Sequence, residues 1–170
     1  RPNHFVVRNI PDVEKIMAWS KDCQRCRAVV VGGGYIGFEM AEQLRHRGFD
    51  VTVVEALPQV MTPSDPEMAA WLHAELRANG VALHLNDPVV AFEPPSEQEP
   101  ARASIVVLKS GHRLPADSVV LGLGVKPEVG LAKDAGVDLG GRGGIQKKEH
   151  LQTSDPHIWA VGDAIEVRDG

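Results

Sequence analysis

The stretch Val-Val-Val-Gly-Gly-Gly-Tyr-Ile-Gly-Phe-Glu-Met-Ala-Glu, residues 29–42, decides the fold. It opens with a β-branched apolar run, passes through the pattern Gly32-x-Gly34-x-x-Gly37 and ends in a helical pattern. The order of strand, glycine turn and helix gives each of these glycines a specific structural role. The first allows a sharp turn, the second lets a pyrophosphate approach the backbone, and the third lets helix and strand pack closely.

The segments on either side extend this unit into a β-α-β-α-β order. Short apolar runs at Val51–Val54 and Val81–Leu85 follow helical patterns that end at Gly48 and Gly80. Alternating strands and helices predict a parallel sheet. We therefore expect an α/β fold, namely a Rossmann-like parallel sheet with helices on both faces.

The pattern changes after residue 88. Short strands are predicted at Val89–Phe92, Ile105–Leu108 and Ser118–Leu121, with no long helix between them. They predict a small antiparallel crossover layer added to the parallel sheet. A further short strand is predicted at Ile158–Val161, and Trp71 and Trp159 are expected to lie in the core.

An acidic residue follows the second strand at the position that dinucleotide binding requires. Glu55 lies 18 residues after Gly37 and ends the strand Val51–Val54. A carboxylate at this place accepts hydrogen bonds from the adenosine ribose, and it would repel the 2′-phosphate of NADPH. Residues 56–59, Ala-Leu-Pro-Gln, supply no Arg or Lys to bind that phosphate. The sequence predicts a preference for NADH.

Composition excludes several classes of function. The 170 residues carry 18 Lys+Arg and 23 Asp+Glu, a net charge of −5, which disfavours binding to nucleic acid or to an anionic membrane. No apolar run approaches the roughly 18 residues of a membrane span. Two cysteines are too few for a disulfide-stabilised secreted scaffold. We expect a cytoplasmic protein. Cys23 and Cys26 are interpreted as ordinary thiols, and the seven histidines show no metal-ligand spacing.

Four segments resemble the nucleotide domain of the flavin-dependent pyridine nucleotide–disulfide oxidoreductases. They are residues 30–42, 53–55, 122–127 (Gly-Leu-Gly-Val-Lys-Pro) and 152–164 (Gln-Thr-Ser-Asp-Pro-His-Ile-Trp-Ala-Val-Gly-Asp-Ala). The resemblance covers nearly the whole chain. It is strongest to the branch that holds NADH oxidases, NADH peroxidases, coenzyme A–disulfide reductases and persulfide reductases.

The resemblance implies roles for individual residues. Tyr35 resembles the aromatic residue that covers the empty nicotinamide site, Glu39 the glutamate that contacts the nicotinamide end, and Gly124 the loop glycine beside the nicotinamide. Asp163 resembles the aspartate that binds the ribityl hydroxyls of FAD in the intact enzyme. The expected NADH-binding set is Gly32, Gly34, Tyr35, Ile36, Gly37, Glu39, Glu55 and Gly124.

The resemblance also implies an organisation for the intact protein. Residues 1–10 would connect from a flavin domain, residues 11–148 would form the NADH-binding domain, and residues 149–170 would begin the return to the flavin domain. No catalytic residue is expected in this stretch, which should bind nucleotide without turnover. The intact enzyme is expected to be a homodimer. The alternatives are a ferredoxin-reductase-like flavoprotein and a stand-alone NAD-binding sensor.

Overall fold

The computed structural model describes residues 1–21, 26–95 and 103–167. These residues form two compact units, Arg1–Gly124 and Val125–Gly170. The elements of the first unit, in chain order, are β1 (His4–Phe5), α1 (Ile10–Ser20), β2 (Arg27–Val31), α2 (Tyr35–His46), β3 (Asp50–Val54), α3 (Pro66–Ala78), β4 (Ala82–His84), β5 (Val89–Glu93), β6 (Ser104–Leu108), β7 (Arg113–Ala116) and β8 (Ser118–Leu121).

Five parallel strands form the main sheet of the first unit, in the order β1-β8-β2-β3-β4. The central strand β2 pairs with β3 along its whole length, from Arg27–Asp50 to Val31–Val54. Both faces of β2 are covered, so its run of apolar residues is continuous rather than alternating.

The two faces of the sheet are covered by different layers. Side chains of α1, α2 and α3 pack with Ala28 and Val30 on one face. Val29 and Val31 point to the other face and pack against the three-stranded antiparallel sheet β5-β6-β7. The α/β fold with a parallel sheet and a small antiparallel layer is confirmed. The prediction that Ser118–Leu121 belongs to that layer is wrong, because this strand is β8 of the parallel sheet and β7 is the third strand of the layer.

The expected placement of helices on both faces is wrong for this unit. The connections from β1 to β2, from β2 to β3 and from β3 to β4 all advance in the same direction across the sheet. Right-handed crossovers that advance in one direction place their helices on one face. The chain then returns to β8 through the antiparallel layer, which occupies the other face.

Two aromatic predictions are also wrong. Trp71 on α3 is 76% exposed, and Trp159 in the second unit is 58% exposed. The apolar side of α3 is formed instead by Ala69 and Leu76, which are buried.

The second unit is small and contains little regular structure. It holds α4 (Gly130–Asp134) and a two-stranded parallel sheet of β9 (Ile145–Gln146) and β10 (Ile165–Glu166). The predicted strand at Ile158–Val161 is absent from the described residues; a single bridge joins Gln152 to Trp159 there. The buried Thr153 hydroxyl donates to the Ile158 carbonyl at 3.0 Å, and it holds this segment as a turn.

None of the described helices combines the length and the apolar character that a bilayer crossing needs. The sequence-based domain boundaries at 10/11 and 148/149 concern the intact protein and stay a prediction.

Candidate functional site

Three glycines shape the turn between β2 and α2. Gly32 has a φ of 102°, in the left-handed region that favours glycine, and a Cβ there would overlap the carbonyl oxygen of Gly122, just after β8. A Cβ on Gly37 would overlap the carbonyl oxygen of Gly32. At Gly34, by contrast, a Cβ would meet no heavy atom within 4 Å. Gly32 and Gly37 thus serve internal packing, whereas nothing within the protein requires a glycine at position 34.

The open glycine lies at the N-terminus of α2. Gly34 is the N-cap residue, makes no side-chain capping bond, and is followed by a first turn with no acidic residue. The first N–H groups of a helix have no partner within the helix and carry a partial positive charge. With no side chain at Gly34 in the way, a phosphate group can approach these N–H groups.

Glu55 is fixed by the glycine turn itself. Its Oε2 accepts a hydrogen bond from the Gly33 N–H at 2.6 Å, and its Oε1 accepts one from the Leu57 N–H at 2.9 Å. Gly33 is buried and Glu55 is half-buried. A carboxylate offers about four lone-pair positions, so both oxygens can still accept bonds from ribose hydroxyls. The carboxylate is therefore held beside the N-terminus of α2.

The loop after Glu55 packs beneath the glycine turn. The Met61 N–H donates to the Gly33 carbonyl at 2.8 Å, and Val60 is fully buried against Gly33. The Val60 N–H donates to Nε2 of His73 on α3 at 3.1 Å, which requires a neutral imidazole at that nitrogen. Burial lowers the pKa of His73, and the nearby Arg77 charge lowers it further.

Sequence reasoning missed His73 and Val60. The hydrogen bond joins Val60, in a loop, to His73, which lies 13 positions later on a helix. No local sequence pattern predicts such a contact.

The residues expected at the nicotinamide end lie at the carboxyl edge of the sheet of the first unit. Tyr35 is 73% exposed, and Glu39, four residues later on the same face of α2, is also exposed. Ile36 is half-buried. Gly124 follows β8 with a φ of 86° and open space around it. Tyr35 and Glu39 are therefore accessible to a ligand at this edge.

Asp163, assigned to FAD by resemblance, belongs to the second unit. It is exposed and follows Gly162, whose φ is 86°.

The opposite end of the sheet holds structural contacts. The Asp117 carboxylate accepts hydrogen bonds from Nε and Nη2 of Arg27, both at 3.0 Å, and from the Arg27 N–H at 2.9 Å. Cys26 lies beside Arg27, is 2% exposed and is disulfide-bonded. The expectation of a free thiol is therefore wrong for Cys26, and Cys23 lies outside the described residues. Cys26 precedes β2 and Arg27 begins it, whereas the glycine turn follows the other end of this strand, so the cysteine is remote from the glycine turn.

Fold and site together define a dinucleotide-binding, Rossmann-like domain, because a glycine turn, an open helix N-terminus and a fixed carboxylate meet at the carboxyl ends of β2 and β3. The chain belongs to the pyridine nucleotide-disulphide oxidoreductase family, whose sequence model matches residues 1–169.

Relatives within this family match nearly the whole length of the chain. It is 37% identical over 166 residues to an NADH oxidase of Methanocaldococcus jannaschii, covering 97% of this chain and 36% of that protein. It is 39% identical over 160 residues to the ferredoxin reductase subunit of a 5,5′-dehydrodivanillate O-demethylase from Sphingobium sp., covering 94% and 37%.

A solved structure shows the same fold. Reduced CoADR-RHD of Bacillus anthracis is 47% identical, with a TM-score of 0.86, covering 98% of this chain and 29% of that one. The chain spans about a third of the length of the curated relatives it matches.

Proposed function

We propose that this chain is the NADH-binding domain of a flavin-dependent oxidoreductase. The observation that carries the proposal is the Glu55 carboxylate bonded to the Gly33 N–H, next to the open Gly34 at the N-terminus of α2. An adenosine ribose at Glu55 and a pyrophosphate at Gly34 use both features at once. The name of the 37% identical relative, NADH oxidase, supports this nucleotide.

In this proposal each end of the nucleotide has its own contacts. The N–H groups at the start of α2 bind the pyrophosphate, and Glu55 selects a ribose without a 2′-phosphate. Tyr35, Glu39 and Gly124 lie at the nicotinamide end and leave room for a flavin. Residues 56–64 contain no Arg or Lys, which supports NADH rather than NADPH.

The redox chemistry belongs to the cofactors: NADH supplies a hydride, and FAD, held by the remainder of the intact protein with a contribution from Asp163, accepts it. This chain's residues bind and orient the nucleotide and do no chemistry on the acceptor. The assignment of residues 1–10 and 149–170 to connections with a flavin domain, and a homodimer of the intact protein, belong to the same proposal.

Substitution of Gly34 tests the pyrophosphate site without disturbing the fold. A methyl group at residue 34 meets nothing within 4 Å, and the φ of −78° there suits alanine. We expect Gly34→Ala to keep the thermal stability of the parent protein and to weaken NADH binding at least about tenfold, because the methyl group occupies the space of the pyrophosphate.

Gly141→Ala is the matched control, since that glycine is also surrounded by open space and has no positive φ. Isothermal titration calorimetry with NADH measures both variants. Unchanged NADH affinity in Gly34→Ala would place the nucleotide elsewhere and overturn the proposal.

A second candidate is a reductase that delivers electrons to a ferredoxin. The 39% identical relative is named as a ferredoxin reductase subunit, and its nucleotide domain would have the same fold. Stopped-flow kinetics of the intact protein, reduced with NADH and mixed with either a ferredoxin or a small disulfide, separates the two by which acceptor reoxidises the flavin.

A further inference from the structure

Three potential metal ligands meet beside the end of β4, on the first unit. His84 is the last residue of β4, Asp87 follows three residues later, and His112 lies in the turn between β6 and β7. One nitrogen from each imidazole and one oxygen of the carboxylate all lie within 4.8 Å of one another. Their sequence positions show no ligand spacing, so only the fold brings them together.

The carboxylate of this cluster is held in place. Asp87 is 7% exposed, its Oδ1 accepts from the Ser110 N–H at 2.8 Å, and its Oδ2 accepts from the Ser110 hydroxyl at 2.5 Å. The Asp87 N–H in turn donates to the Glu55 carbonyl at 3.2 Å. Both oxygens of the carboxylate are thus held by Ser110, which fixes the orientation of the Asp87 side chain.

The two imidazoles lie against each other and beside the carboxylate. Their ring centroids are 5.3 Å apart in an edge-to-face arrangement. Nδ1 of His112 is 3.7 Å from Oδ2 of Asp87. Among the described residues, the half-buried His84 ring has no hydrogen-bond partner. Hydrogen bonds that hold the β6–β7 turn explain why Asp87 and His112 both contact the Ser110 hydroxyl, but they do not explain why the His84 imidazole lies beside them.

We propose that His84, Asp87 and His112 form a binding site for a divalent transition-metal ion, with Zn²⁺ as the probe. Two imidazole nitrogens and a carboxylate oxygen are ligands that Zn²⁺ accepts at about 2.0–2.2 Å, which places ligand atoms roughly 3.3 Å apart around a tetrahedral ion. Closing the cluster from 4.8 Å to that spacing requires rotation of the 64% exposed His112 side chain, which releases the 2.8 Å hydrogen bond between its Nδ1 and the Ser110 hydroxyl.

The site has three protein ligands, so water completes the coordination. Ser110 orients the Asp87 ligand from the outer shell, as hydrogen-bonded partners of metal ligands do. A bound ion joins the β6–β7 turn to the end of β4. Because the unfolded chain does not hold these three groups together, binding stabilises the folded state.

The test is a titration of the intact protein with ZnCl₂, by isothermal titration calorimetry and by metal analysis after dialysis. We expect one Zn²⁺ per chain and a raised melting temperature. His84→Ala and His112→Ala should each weaken binding by at least about 100-fold, and Ser110→Ala by about tenfold, since loss of an outer-shell partner costs about 10–100-fold.

His46→Ala is the matched control, because it removes an exposed histidine on α2, away from the cluster. It should leave binding unchanged. Melting curves without metal establish that the variants fold. Because His112 lies on an exposed turn, His112→Ala is the variant with the smallest expected effect on folding. Absence of Zn²⁺ binding to the parent protein, or equal binding by the His112→Ala and His46→Ala variants, would overturn the proposal.

Discussion

Removal of the Glu55 carboxylate should change both the stability of the glycine turn and the choice of nucleotide. The carboxylate accepts hydrogen bonds from the Gly33 and Leu57 N–H groups at 2.6 and 2.9 Å. In Glu55→Ala the exposed Leu57 N–H turns to water, but the buried Gly33 N–H loses its partner. Glu55→Gln keeps the side-chain volume and one acceptor oxygen, so it separates the effect of charge from that of size.

The magnitude follows from these contacts. An unsatisfied buried N–H costs about 1–3 kcal/mol. For a chain of this size, each 1 kcal/mol lowers the melting temperature by roughly 2–4 °C, so we expect Glu55→Ala to melt about 2–12 °C lower. Hydrogen bonds from ribose hydroxyls to a charged acceptor contribute about 1.5–3 kcal/mol, which corresponds to NADH binding about 10- to 150-fold weaker.

Calorimetric titration of the parent protein and both variants with NADH and NADPH measures the effect. The parent should prefer NADH, and the variants should lose that preference, because NADPH no longer meets a carboxylate at its 2′-phosphate. Thermal unfolding without nucleotide gives the stability change separately.

Two results would refute the role assigned to Glu55. One is equal affinity of the parent protein for NADH and NADPH. The other is a Glu55→Ala variant that still prefers NADH to the same degree. A lower melting temperature alone would support only the structural bond to Gly33.

Two further predictions concern stability. Neutral His73 accepts a hydrogen bond from Val60, and burial lowers its pKa from the ordinary 6.5, so its stabilisation is present above pH 6.5 and declines as the pH falls below it. His73→Ala should therefore melt lower than the parent at pH 8, and the difference should shrink at pH 5.5; a difference that is constant or grows on acidification would contradict this account. Asp117→Ala removes a half-buried pair with Arg27 and should cost about 2–3 kcal/mol, or roughly 4–12 °C in melting temperature, with NADH affinity unchanged. Asp50→Ala is the control, since its carboxylate is 68% exposed and should matter little; equal effects of the two aspartate variants would show that the Arg27 pair contributes nothing special.

The local sequence determined the class of fold and much of the candidate site. The run Val29–Val31 predicts a strand covered on both faces, and the glycines at 32, 34 and 37 predict the turn that follows. These patterns are local: φ angles, the space for a Cβ and the period of apolar residues depend on neighbours along the chain. The position of Glu55 also follows, since the strand that it ends must lie beside the first.

Tertiary structure decided the features that depend on distant parts of the chain. The helices of the first unit share one face because the three helical crossovers all advance in the same direction across the sheet. No single segment of the sequence specifies that direction. Trp71 is exposed because α3 packs on the sheet through Ala69 and Leu76. The periodicity of a helical sequence indicates which face is apolar, but it does not indicate how deeply each side chain is buried.

Contacts between distant segments were likewise invisible in the sequence. His73 reaches Val60 from a separate helix, and His84 and Asp87 meet His112 only because the β6–β7 turn lies against the end of β4. The short run at Ile158–Val161 has the composition of a strand, yet the strand of that region is Ile165–Glu166, which has Ile145–Gln146 as its partner. A strand needs a neighbour with free N–H and C=O groups, and where that neighbour lies is a property of the folded chain alone.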